Sequence, residues 1–161
     1  RAIATSTHVE DPELCYLIGL LRNIGRVVLA QNLPRETTAI VAIAREFHLP
    51  FHRAARAVLT DDDSALGAWV AEHWGLEQPL VEGIRCQRKS DQALNPRLPV
   101  LFALVEFLCY RKGIPGSGDY HKLTLPADIA TLGLDGTGLQ TLLEGLDEEV
   151  AYARTMLAGG T

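Results

Sequence analysis

Apolar residues along the chain recur at intervals of three and four, and β-branched residues never gather in alternating runs. That pattern predicts helices throughout and no sheet. Asp11-Pro12 opens the first predicted helix, with Asp11 as cap and Pro12 at the first helical position. Leu14, Leu17, Ile18 and Leu21 mark its inner stripe, and it runs to about Leu29. Leu33-Pro34 opens another helix to about Phe47, and Leu49-Pro50 a third to about Leu59. Asp61-Asp62-Asp63-Ser64 caps a helix that carries Trp69 and Trp74 and ends at Gly75. Pro79 starts a helix through Ile84 to about Arg88, and Pro96 to Lys112 reads as a strongly apolar helix. The run from Gly113 to Gly118 is a loop signal, and the stretch on to about Thr124 is expected to be the least ordered part. Ile129 to Leu134 reads as a short helical turn. The last helix, about Thr137 to Leu157, turns Leu139, Leu142, Leu143, Leu146, Val150 and Tyr152 inward. The expected fold class is therefore all-α. With no internal repeat and no dividing linker, residues 1–161 read as one helical domain.

The composition narrows this picture. With 47% hydrophobic and 22% charged residues, the chain is neither disordered nor fibrous. Its 161 residues suffice for one core. A net charge of −5 argues against a dedicated nucleic-acid or membrane-surface binder, because those partners are anionic and select a basic face. No apolar leader segment precedes Asp11 and no uninterrupted apolar run reaches the ~18 residues of a membrane span. A cytoplasmic location is expected. Cys15, Cys86 and Cys109 show no metal-ligand spacing and read as buried free thiols. The chain begins at Arg1 and its only methionine is Met156, which suggests a piece of a longer protein.

Two charges stand where charges are unwelcome. The run Leu14-Cys-Tyr-Leu-Ile-Gly-Leu-Leu21 is apolar on every face, so its helix is expected to be enclosed, yet it leads straight into Arg22-Asn23. Glu106 stands alone in the apolar run from Leu98 to Tyr110. A lone buried carboxylate or guanidinium costs several kcal/mol, so the economical arrangement has the two meet. Arg22 and Glu106, with Asp63 as a candidate third member, are expected to form a structural ion pair where helices converge. The alternative has Arg22 reaching solvent at its helix end and Glu106 facing an open groove.

At these residues the chain resembles a known family. The segment from Asp11 to Leu29, with Gly-Leu-Leu-Arg-Asn-Ile-Gly at its centre, is similar to the signature helix of HDOD domains, the HD-related output domains of bacterial signalling proteins, which usually carry Gly-Leu-Leu-His-Asp-Ile-Gly. Ser64-Ala-Leu-Gly67, Trp74-Gly-Leu and Pro79-Leu-Val-Glu-Gly-Ile84 resemble the later family stretches. The resemblance implies an HD-domain-like helical bundle whose N-terminal helical lobe would precede Arg1. It also implies where metal ligands of active HD phosphohydrolases would fall. The His-Asp dyad falls on Arg22-Asn23, a later His on Asp63, a His pair on Gln87-Arg88, and the final Asp on Glu106. None of these is an imidazole, and Arg repels a cation rather than ligating it. No cofactor and no catalysis are therefore expected, and the arginines are read as replacing the positive charge of a departed metal.

Other candidate chemistry is weaker. His48 and His52 have a chelating spacing, but Pro50 lies between them. The Asp61–Asp63 run reads as a helix cap rather than a Mg site, and Gly113, Gly116 and Gly118 follow a helix rather than the strand of a phosphate loop. Arg85, Arg88, Lys89 and Arg97 form a basic cluster. The expected function is a non-catalytic regulatory module that acts through protein contacts, with fused or partner domains of receiver, GGDEF, EAL or kinase type, as the resemblance implies. One alternative is an anion or nucleotide sensor in the former metal cleft using Arg22, Arg26, Arg85, Arg88 and Lys89. Another is a residual phosphohydrolase using Asn23, Asp63, Gln87 and Glu106 as oxygen ligands.

Overall fold

A computed structural model of the chain describes residues 2–114 and 119–158, without the side chains of residues 148–150, 152–154 and 156–158. The described residues form α-helices joined by turns and loops and contain no strand. In order they are α1 (Ala2–Thr7), α2 (Pro12–Leu21), α3 (Ile24–Asn32), α4 (Pro34–Glu46), α5 (Phe51–Val58), α6 (Asp63–His73), α7 (Gln78–Arg85), α8 (Arg97–Arg111) and α9 (Gly136–Ala158), with a 3-10 turn at Ile129–Leu132 before α9. The proline signals act as read: Pro12, Pro34 and Pro79 each occupy the first turn of a helix, where a missing N–H costs nothing. Of the three acids ahead of α6, Asp62 is the cap, accepting from the backbone N–H groups of Ser64 and Ala65 at 3.0 and 3.1 Å.

The larger apolar core gathers Ile18, Leu101, Leu104 and Leu108 with residues of α1, α6 and α7, and Leu139, Leu142, Leu143 and Leu146 of α9 pack on it from outside. A smaller core joins Leu29 of α3 to Ile40 and Ala44 of α4 and to Phe51, Ala54 and Ala55 of α5. Helix α6 packs on both α3 and α7 and so lies between the two. Val150 and Tyr152, expected on the inner stripe of α9, fall among side chains outside the description, as does most of the glycine-rich run at 113–118.

Four readings need correction. Residues 12–29 are two helices rather than one, because the chain breaks at Arg22-Asn23. The run Leu14–Leu21 is not enclosed: Tyr16, Leu17 and Leu20 are exposed at 46%, 42% and 64%, and only Cys15 and Ile18 are fully buried on α2. Apolar residues on every face of a short helix therefore mark a surface patch here, not central burial. A further helix, α1, forms ahead of Asp11, where too few periodic residues stood to signal it. Cys109 is half-buried rather than buried, although all three cysteines are free thiols.

Glycine settles how close α3 comes to α6. A Cβ on Gly25 would overlap the backbone carbonyl of Asp63 and sit 2.9 Å from the backbone nitrogen of Gly67, so only glycine at position 25 lets the helices approach this far; a Cβ on Gly67 would be tight, 3.3 Å from the Gly25 nitrogen, but would not overlap backbone. Substituting Gly25→Ala should lower stability by more than about 2 kcal/mol in urea denaturation, since the obstructing atoms are backbone and cannot rotate away. Gly19→Ala, where a Cβ meets nothing within 4 Å, should instead be neutral or gain up to about 1 kcal/mol.

Candidate functional site

The break after α2 places Arg22 at the junction of four elements. Its Nε donates to Gln87 Oε1 at 2.9 Å, and its Nη2 donates to Glu106 Oε1 of α8. Gln87 Nε2 donates back to the Arg22 carbonyl at 2.9 Å and to the Ile84 carbonyl at 3.1 Å. One side chain thus recognises both the guanidinium and the carbonyl that the helix break leaves without a helical partner. Arg22 also lies over the Phe102 ring, 5.3 Å from its centroid.

One turn on, Arg26 Nε donates to Asp63 Oδ2 at 2.7 Å and its Nη1 donates to Asp119 Oδ2 at 2.8 Å. The same Asp119 accepts the Phe51 backbone N–H at 2.8 Å, so this loop residue pins α3 to the start of α5. Arg88 completes the group. Its Nη1 donates to Ser64 Oγ at 2.6 Å, and both terminal nitrogens reach Asp63 at 3.4 Å. Asp63 is fully buried between Arg26 and Arg88; it takes no part in the Arg22–Glu106 pair, contrary to its expected place as third member.

These residues border a cleft of about 260 Å³ whose walls include Arg22, Asn23, Arg26, His52, Arg88, Glu106, Asp119 and His121. Three guanidiniums, of Arg22, Arg26 and Arg88, face three carboxylates, of Asp63, Glu106 and Asp119, and every one is paired. Burial pulls the Arg22 guanidinium below its ordinary value, with Glu106 opposing and the neighbouring Arg88 and Arg26 reinforcing the fall. Burial works against the Arg26 charge as well, but Asp63 and Asp119 outweigh it and hold Arg26 above the usual arginine range. Burial disfavours the Asp119 charge too, yet Arg26 and the Phe51 N–H prevail and lower its pKa. His52 is pushed down to about 4 by burial and by Arg88, which outweigh the opposing pull of Asp63, Asp62 and Asp119, so it is neutral in the fold near pH 7.

A divalent ion needs carboxylate or imidazole lone pairs that point together at one vacant spot. The six positions at which the family pattern places ligands do not offer this. Arg22 and Arg88 have no lone pair to give, Gln87 Oε1 is taken by Arg22, and both oxygens of Asp63 face guanidiniums. Asn23 sits exposed at the cleft mouth, and Glu106 is held by Arg22. Among the described residues no three His, Cys, Asp or Glu side chains are grouped so as to hold a metal. The residues present do not fit a metal ion.

The imidazoles that do reach the cleft come from other places. His52 stands on α5, and His121 lies in the same loop as Asp119. His48 lies outside α5, exposed and with a φ of 51° between helices, so the His48–His52 spacing does not put both on one helical face. Asp119 and His121 carried no local signal; only the fold returns that turn-rich stretch to α3 and α5. The basic cluster is also rearranged. Arg97 leaves it to donate to the carbonyls of Thr7 and Thr131, at 3.0 and 2.9 Å, tying α1 and the 3-10 turn to α8. Arg85 pairs with Glu72 at 2.9 Å, while Arg53 and Arg56 of α5 come alongside Arg88 and Lys89.

Removing the shared acid should be the most damaging change at this site. Asp63→Ala strands two guanidiniums in a dry place and should cost about 3–5 kcal/mol in urea denaturation near neutral pH. Glu106→Gln should cost less, because the Glu106 side chain is 34% exposed and water can replace part of the interaction. The His52 ring yields a pH test. Between its unfolded value of 6.5 and about 4 the unfolded chain binds a proton that the folded chain refuses. Stability therefore falls as pH drops through that window, and His52→Gln should flatten the fall. The imidazole carbon protons of His52 should titrate near pH 4 by NMR.

An uncharacterized protein of Treponema pallidum (strain Nichols) is 27% identical over 86 residues, which cover 53% of this chain and 17% of that protein. No solved structure matches the chain. The HDOD domain family matches residues 1–90, a segment that contains α1 to α7 and with them Arg22, Arg26, Asp63, Gln87 and Arg88. The chain belongs to the HDOD domain family.

Proposed function

We propose that this HDOD domain is a non-catalytic signalling module that transmits a state through contacts with attached or partner proteins. The observation that carries the reading is the cancellation of charge in the cleft, where Arg22 and Arg88, at positions implied for metal ligands, and Arg26 beside them are each paired with acids. Hydrolysis of a phosphoester by HD chemistry needs a metal to activate water, and these side chains repel or ignore a cation. What remains is a scaffold cross-linked by buried ion pairs. Its surface is equipped for contact: Tyr16, Leu17 and Leu20 on α2 and Trp69 and Trp74 near the end of α6 are large, apolar and exposed. No helix among the described residues is long and apolar enough to cross a membrane.

A residual phosphohydrolase has less support, because Asp63, Gln87 and Glu106 are all engaged by arginine. An anion sensor built on Arg22 and Arg26 loses support for the same reason, since both are already neutralised. The purified protein should carry no stoichiometric transition metal by elemental analysis and should release no product from phosphodiester or nucleotide substrates with added Mn, Mg or Fe. A stoichiometric metal, or turnover abolished by Asp63→Asn, overturns the proposal. Leu20→Glu and Trp74→Glu should leave the unfolding midpoint unchanged while altering the signalling output of the parent protein.

A further inference from the structure

A second cavity lies across Arg88 from the cleft, and its charge is not balanced. It measures about 340 Å³ and is walled by Arg53 and Arg56 of α5, Asp62 and Ser64 at the start of α6, Arg85, and Arg88 and Lys89 in the turn beyond α7. Five cationic side chains meet one carboxylate there, in a chain whose net charge is −5. That carboxylate is fully committed. Asp62 Oδ1 caps α6 and its Oδ2 accepts from Arg56 at 2.5 Å. Arg85 and Arg88 are each held by one acid, Glu72 and Asp63, whereas Arg53 and Lys89 form no ion pair among the described residues.

Like charges gathered in one concavity repel, and a bound polyanion relieves that repulsion. Ser64 Oγ accepts from Arg88 Nη1 at 2.6 Å, which leaves its hydroxyl hydrogen free to donate to a ligand oxygen. The N-terminal end of α6 adds a dipole of the same sign. No aliphatic side chain lines the cavity and its one aromatic ring is that of His52, so charged and polar groups dominate its wall. We infer that this cavity binds a small polyphosphate, either inorganic pyrophosphate or the di- or triphosphate group of a nucleotide, through Arg53, Lys89 and the Ser64 hydroxyl. The number of uncommitted donors suits several phosphate oxygens rather than one carboxylate. The inference is independent of the signalling role, since it asks only for binding.

Isothermal titration of the full chain with pyrophosphate, ATP and GTP tests it. All three should bind saturably at one site with similar affinity, orthophosphate should bind more weakly, and raising the salt from about 50 to about 300 mM should weaken each. The double variant Arg53→Ala, Lys89→Ala should lose about tenfold or more in affinity, while its unfolding midpoint without ligand stays at that of the parent. Absence of saturable binding, undiminished binding by the double variant, or a short nucleic-acid duplex outcompeting pyrophosphate each overturns the inference. Orthophosphate released during the ATP titration speaks against the non-catalytic reading instead, and leaves the binding result standing.

Discussion

A guanidinium taken out of water must be given acceptors, and in this domain that demand organises the centre of the fold. Arg22 and Arg26 are 6% and 8% exposed, one turn apart, and between them they draw on Gln87, Glu106, Asp63 and Asp119. Those acceptors come from the start of α6, the turn after α7, the middle of α8 and the loop that follows it. Charge satisfaction thus reaches elements that the apolar cores only partly connect. Since well-packed apolar residues are often at least as stabilising as a buried ion pair, the pairs are better understood as fixing which arrangement of helices is adopted.

The same arrangement separates two electrostatic environments that share one residue. On one side of Arg88 the cleft is neutral, each positive group answered by a negative one. On the other, Arg53 and Lys89 remain without an acid partner and the field is open to a mobile anion. A charge already paired at short range offers little to a ligand, because binding would have to displace its partner. An unpaired one offers its full interaction. The distinction explains why a count of arginines near the family's ligand positions is a poor guide to where an anion would sit.

Much of the fold was legible in the chain. Helix class followed from the spacing of apolar residues, and the starts of α2, α4, α6 and α7 from Asp11-Pro12, Pro34, Asp62 and Pro79, because caps and prolines act within one turn of themselves. The break at Arg22-Asn23 was not legible. The residue that makes it tolerable, Gln87, stands 65 positions away and supplies a hydrogen bond that no local pattern encodes. The exposure of Leu17 and Leu20 escaped for a related reason: a short helix with apolar residues all round looks the same whether it is surrounded or lies at the edge.

The sequence by itself determined that the chain is helical, that guanidiniums occupy positions where the family resemblance implies metal ligands, and that Arg22 and Glu106 were anomalous in their apolar surroundings. Only the tertiary structure decided which acid answers which arginine. Asp63 goes to Arg26 and Arg88, and Asp119 is brought from a turn-rich stretch to hold α3 against α5. The physical reason is range. Capping and periodicity act over one or two turns and are written locally, whereas charge pairing depends on distance in space, and that is set only when a glycine such as Gly25 allows two helices to meet.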